Sequence, residues 1–211
     1  MRKIILNSIF VGVVVLCGQS MALAASSPFV VSASVPAATS VDINPFSINS
    51  TGTPVFTPVV GLNLSFNPLT FDDTNKIYLP NHFFAIDFAP QGGAGNPDVT
   101  ATYAEGANPN NPGHGLGWKS LTTFIKVTGP SGSQTETPLA GHGNTAGKKL
   151  LKDLSGENIL ATEFSGGFLR IYLGMVTGNP VLNEPTGAEP FTNADKGGTY
   201  DGTLTLTATL P

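Results

Sequence analysis

The chain has few of the residues that several protein classes depend on. Its single cysteine, Cys17, cannot form an internal disulfide, so a disulfide framework is excluded. Charged residues make up only 11% of the sequence, and Arg170 is the one arginine beyond Arg2, which leaves no basic patch for nucleic-acid phosphates. Beyond the first residues, no apolar run approaches the roughly 20 residues that a membrane-spanning helix needs. Nucleic-acid binding and a membrane span in the mature chain are therefore not expected.

The first residues have the composition of a secretory signal. Arg2 and Lys3 precede an apolar run over residues 4–16, and small residues end at Ala24. We expect cleavage after Ala24, so that residues 1–24 are a signal peptide and residues 25–211 form one domain. Loss of the two cations would change the formal charge from −4 to −6. These features predict a protein that is secreted, or displayed on a bacterial cell surface after passing through the periplasm.

The remaining composition favours strands over helices. Gly 25 and Pro 17 are frequent, and threonine, valine and phenylalanine recur between turn signals. The one segment with helical spacing of leucines is 144–156, which we interpret as a short crossover between sheets. Alternation of apolar and polar residues predicts strands at 29–35, 59–66, 83–89, 98–104, 120–127, 134–139, 168–176 and 200–210. The prediction is an all-β protein: an antiparallel immunoglobulin-like β-sandwich with one short helix.

Residues that could support catalysis or metal binding are scattered. The three histidines, His82, His114 and His142, are far apart and lack metal-ligand spacing, so we expect exposed loop histidines, no metal and no cofactor. Carboxylates that could act as acid and base pairs are Asp72 with Asp73 and Glu157 with Glu163, although turn and surface roles are favoured for them. A hydrolase would have to use the loops in 92–117. We predict that the protein is not an enzyme.

Aromatic side chains raise the alternative of a secreted carbohydrate-binding β-sandwich module. The candidates for sugar contact are Tyr103, Trp118, Tyr172 and Tyr200, because these rings combine an apolar face with a polar group. Large aromatics also fill sandwich interiors, and that role is the favoured interpretation. A planar row of exposed rings would favour the carbohydrate-binding module.

Both ends of the predicted domain are alternating segments. Residues 28–36 follow the signal closely, and the last strand sets threonines on one face against apolar residues on the other. An extended segment of this kind can add to the edge of another subunit's sheet. Two arrangements remain open: the ends pair within one monomer, or they are exchanged between copies.

The order of these features, and the ending "GGTYDGTLTLTATL", resembles bacterial fimbrial (pilus) subunits of the chaperone-usher kind and the related spore-coat-U-like secreted proteins. The resemblance implies an incomplete immunoglobulin-like fold that is completed by an N-terminal strand from another subunit. It implies a structural surface or fibre subunit with a role in adhesion, whose partners are copies of itself or related subunits and a periplasmic chaperone. By position, the donor residues would be Phe29, Val31, Ala33 and Val35, and the acceptor groove would be lined by Leu204, Leu206, Ala208 and Leu210.

Overall fold

The computed structural model describes residues 28–34 by their backbone and residues 41–61, 63–90, 95–110, 114–130 and 132–211 in full. The predicted signal peptide, residues 1–24, lies outside the described residues. The strands are β1 Pro28–Ser34, β2 Val41–Asn49, β3 Phe56–Pro58, β4 Asn63–Ser65, β5 Leu69–Asp72, β6 Ile77–Pro80, β7 His82–Pro90, β8 Asp98–Glu105, β9 Ser120–Thr128, β10 Thr135–Pro138, β11 Lys148–Leu150, β12 Ser155–Ile159, β13 Phe168–Met175, β14 Phe191–Thr192 and β15 Gly202–Thr209. One α-helix, α1, spans Leu116–Lys119, and short 3₁₀ turns span Ala140–His142, Leu151–Asp153, Ala161–Phe164 and Pro180–Leu182.

The strands form two large sheets and one small one. The first sheet has the order β12-β8-β15-β1-β4, and the second has the order β10-β9-β13-β7-β2-β3 with β11 also paired to β9. A small sheet, β14-β6-β5, lies beside them. Pairing is antiparallel throughout the described strands except between β1 and β15, which run parallel. The predicted fold class, an all-β antiparallel sandwich with one short helix, is confirmed.

The core lies between the two large sheets and follows from strand alternation. Phe84, Ile86 and Phe88 on β7 are buried, as the sequence predicted. They belong to one cluster with alternate residues of β13 and of β15, which face them from the neighbouring strand and the opposite sheet. Burying side chains of this size contributes about 1.5–3 kcal/mol each. Packing and backbone pairing therefore supply the stability.

The predicted helix at 144–156 is wrong. The segment forms β11, one 3₁₀ turn and β12, and it passes from the second sheet to the first, so its interpretation as a crossover is confirmed. Leu150 packs in a small cluster with Leu121 and Val176, whereas Leu151 and Leu154 enter the main core. The three leucines therefore pack into two separate clusters, and their spacing does not mark one face of a helix.

The predicted strand at 59–66 is also shorter than expected. Only Asn63–Ser65 is a strand there, and a separate short strand precedes it at Phe56–Pro58. Leu64 and Phe66 are buried as predicted, but Val60 is fully exposed, because it lies in a bend between these two strands. Among the described residues, no helix is both long and apolar enough to cross a membrane.

Candidate functional site

The candidate site is the position of β1 in the first sheet. This strand lies between β15, to which it is parallel, and β4, to which it is antiparallel. Six residues of β1 pair with β15, from Phe29 opposite Gly202 to Ser34 opposite Thr207. Among the described residues, the pairing of β4 within the sheet is with β1 alone. Removal of β1 would therefore leave one side of β15 unpaired and detach β4.

Residues predicted as donors lie opposite residues predicted to line the acceptor groove. The Cα partner of Val31 is Leu204, and that of Ala33 is Leu206. Val35 lies outside the described residues. On the acceptor strand, Leu204, Leu206 and Ala208 are buried in the core, whereas Leu210 follows the strand and is only partly buried against it. The first and last strands that the structure describes, β1 and β15, thus pair with each other within one chain.

A buried tyrosine fixes the start of the acceptor strand. Tyr200 precedes β15, and its hydroxyl donates to the carbonyl of Lys196 at 2.7 Å. Its ring packs edge-on against Phe191, with 4.7 Å between the centroids. Burial, and then the charge of Asp195, raise the pKa of Tyr200 to about 12, which keeps the hydroxyl a donor. A tyrosine bonded back to a carbonyl a few residues upstream is a feature of immunoglobulin-like sandwiches.

Glycine is required at the first position of this strand. A Cβ at Gly202 would overlap the ring of Tyr103 on the neighbouring β8. The Tyr103 hydroxyl donates to Glu105 at 3.1 Å, and the other Glu105 oxygen accepts from the backbone N–H of Gly117 at 3.0 Å. Burial raises the pKa of both the Tyr103 hydroxyl and the Glu105 carboxyl. This network ties the start of β15 to α1.

His142 is a correction to the sequence prediction. It was expected in an exposed loop, but it is only 7% exposed, because two carboxylates from a crossing strand and turn enclose it. Its Nδ1 lies 2.7 Å from Glu157 Oε1 and its Nε2 lies 2.7 Å from Glu163 Oε2. Both nitrogens can donate only in the doubly protonated ring.

These contacts form a clamp between the sheets. His142 precedes β11 of the second sheet, Glu157 lies on β12 of the first, and Lys149 also bonds to Glu157. Burial alone would raise the pKa of Glu157, but hydrogen bonds from Lys149 and His142 outweigh it and hold that pKa below its ordinary range. The two glutamates flank a histidine instead of facing each other across an open cleft, so the arrangement is not that of an acid and base pair.

The sequence did not reveal a second ionic network, on the outer face of the second sheet. The Arg170 guanidinium forms a two-pronged ion pair with Asp87, with Nε–Oδ1 and Nη2–Oδ2 distances of 2.6 and 2.7 Å. Its Nη1 also donates to Glu136 at 2.8 Å. The ring of Phe56 covers the guanidinium, with 4.6 Å from its carbon to the ring centroid. Asp87 faces away from the core as predicted, yet it is buried, because the Phe56 ring covers the ion pair.

The loop region proposed for a hydrolase contributes Asn110 and His114 to a hollow of about 480 Å³, which is also lined by Lys119, Glu189, Asp195, Lys196 and neighbouring residues. Four of its titratable side chains form two pairs: Lys119 with Asp195 at 2.7 Å, and His114 with Glu189 at 2.7 Å. Within the described ranges, no group of three or more histidines, cysteines and carboxylates is placed to hold a metal ion. Asp72 caps the β5–β6 turn, accepting from the backbone N–H groups of Thr74 and Asn75, which is the turn role that the sequence favoured.

The four candidates for sugar contact lie on separate elements. Tyr103 is on the first sheet and Tyr172 on the second, where it bonds to Glu136. Tyr200 is buried, and the ammonium of Lys152 lies 4.3 Å from the ring centroid of Trp118. These four side chains do not form a planar row.

No family model, curated protein or solved structure matches this chain.

Proposed function

We propose that this protein is a secreted structural subunit of a bacterial surface fibre, and that copies assemble by β-strand addition. In this assembly, the segment that forms β1 in one copy occupies the place between β15 and β4 of the next. Related subunits could serve equally as donors, and a periplasmic chaperone would hold the place until assembly. Adhesion would follow from display on the cell surface.

The observation that supports this proposal is the position of β1. It lies inside the first sheet, between β15 and β4, and residues 35–40 are its covalent connection to β2. Exchange of an identical strand between copies replaces each lost main-chain bond by an equivalent one. The balance between the closed monomer and the chain of copies is then set by concentration and by the strain of the connection.

Deletion tests whether the strand is needed. We expect the chain without residues 25–36 to aggregate, because an open apolar groove and an unpaired strand edge are exposed. An added peptide of the deleted sequence should restore solubility, measured by light scattering and size-exclusion chromatography. A matched peptide carrying Val31→Lys and Ala33→Lys should not. A shortened chain that is an equally stable monomer would refute the proposal.

Cross-linking tests whether the strand is exchanged. Val30 and Thr203 are Cα partners, and Thr203 is exposed, so a Val30→Cys/Thr203→Cys pair can join β1 to β15 without altering the core. Because the mature chain would contain no other cysteine, oxidation should give a locked monomer, and reduction should release oligomers at high concentration. The control is Val30→Cys alone. Equal oligomer formation by the oxidised and reduced double variants would contradict exchange of β1.

A further inference from the structure

A concave surface lies on the outer face of the second sheet, and none of the described residues that line it belongs to β1, β4 or β15. It is a hollow of about 750 Å³, within the ~300–1,000 Å³ typical of small-molecule sites. We call it the outer groove. Its floor includes Gly174 on β13, whose Cα partner on β9 is Leu121. A Cβ at Gly174 would meet no atom within 4 Å, so the missing side chain gives the groove its depth.

The lining of the outer groove is mainly apolar. Its walls include Phe83 and Tyr172, whose rings meet edge-on at 5.8 Å between the centroids, together with Leu121 and Ile125. Leu121 and Ile125 are almost fully buried although they lie outside the main core. At the mouth, Leu182 is 43% exposed. An apolar surface with a concave shape of this kind favours an apolar ligand over a sugar.

The charge of the outer groove has one sign. Lys148, at the rim, donates to the carbonyl of Leu182, and an ammonium group has three donors in all. No carboxylate occurs among the described residues that line the groove. His82 also lies at the rim, but its ring nitrogens bond to Asn81 and to the carbonyl of Ser65. The groove therefore offers one cation beside an apolar trough.

We infer that the outer groove binds a long-chain fatty acid. The carboxylate pairs with Lys148, and the hydrocarbon tail lies over Gly174 against Leu121 and Phe83. A single cation and a single trough match one chain with one negative charge, in contrast to the two chains of a phospholipid. This inference does not depend on strand addition, because, in the part of the chain that the structure describes, no residue that lines the groove belongs to β1, β4 or β15.

The test measures displacement of dansyl-labelled undecanoate from the full chain by oleate and by oleyl alcohol, each below its aggregation concentration. Gly174→Leu should weaken probe binding at least tenfold, because its side chain occupies the trough. The matched control is Gly197→Leu, since a Cβ there also meets no atom within 4 Å and Gly197 does not line the groove. Both variants should unfold at or above the temperature of the parent protein, because replacing glycine stiffens the unfolded chain.

The variant Lys148→Met tests the contact of the carboxylate separately from the contacts of the hydrocarbon tail. We expect oleate to bind about tenfold more weakly to this variant, the magnitude of a lost charged contact, and oleyl alcohol to bind as before. Absence of probe binding by the parent protein would overturn the inference. Binding that Gly174→Leu leaves unchanged, or binding only to phospholipid vesicles, would overturn it as well.

Discussion

The ion pair between Arg170 and Asp87 gives the most quantitative prediction. Both residues are nearly buried, and the guanidinium makes two short hydrogen bonds to this one carboxylate. Replacing Asp87→Leu would leave a buried cation whose remaining charged partner, Glu136, is 39% exposed. Breaking a buried pair costs about 3–5 kcal/mol. Since Glu136 still neutralises part of the charge, we expect a loss of about 3 kcal/mol in the free energy of unfolding.

The double variant shows whether this cost comes from the unpaired charge. Asp87→Leu with Arg170→Met replaces the pair by apolar side chains of similar size, a change that is often neutral or stabilising. We expect it to unfold within ~1 kcal/mol of the parent protein in urea at pH 7. The control is Asp73→Leu, which removes the exposed pair with Lys76 and should cost at most ~1 kcal/mol. If the double variant lost as much stability as Asp87→Leu alone, the reasoning would be refuted.

Three further changes can be measured in the same urea experiment. Leu206→Ala should cost about 2–5 kcal/mol, because it opens a cavity beside the position of β1; a cost under ~1 kcal/mol would place Leu206 outside the core. Tyr200→Phe should cost about 1 kcal/mol for its buried hydrogen bond, and no loss would mean that the bond is not formed. The lowered pKa of Glu157 stabilises the fold above its ordinary pKa of 4.5, and this contribution is lost as the pH falls below that value. Glu157→Gln should flatten the acid side of the pH–stability curve, and an unchanged curve would contradict the clamp.

Strand alternation predicted most of the fold because its cause is local. Along β7, β13 and β15, alternate apolar residues enter the core, and that period is visible in the sequence without any knowledge of the partner strands. The segment 144–156 was misread because its leucines enter two different clusters. Spacing alone cannot distinguish one helix face from two sides of a crossover.

The polar contacts could not be predicted either, and the reason is a different one. His142 and Glu157 are brought together by the crossing of two sheets, and Arg170 and Asp87 are 83 residues apart on adjacent strands. A single arginine that falls on the polar face of an apolar strand was the one available signal, since such a charge needs a partner when it is covered. Alternation predicted strands at both end segments, and the resemblance implied that they pair, but the second partner of β1, β4, and the parallel direction of β1 and β15 came only from the structure.

The parallel direction of β1 and β15 sets a distance that a pair of spectroscopic labels can measure. Pro28 lies near the beginning of β15, so it is separated from Thr209 by about the length of this strand, roughly 25 Å at ~3.3 Å per residue. A segment inserted in the opposite direction would bring these two positions close together. Paired labels at 28 and 209 would therefore report the polarity of the inserted strand, and labels divided between two copies would report whose strand it is.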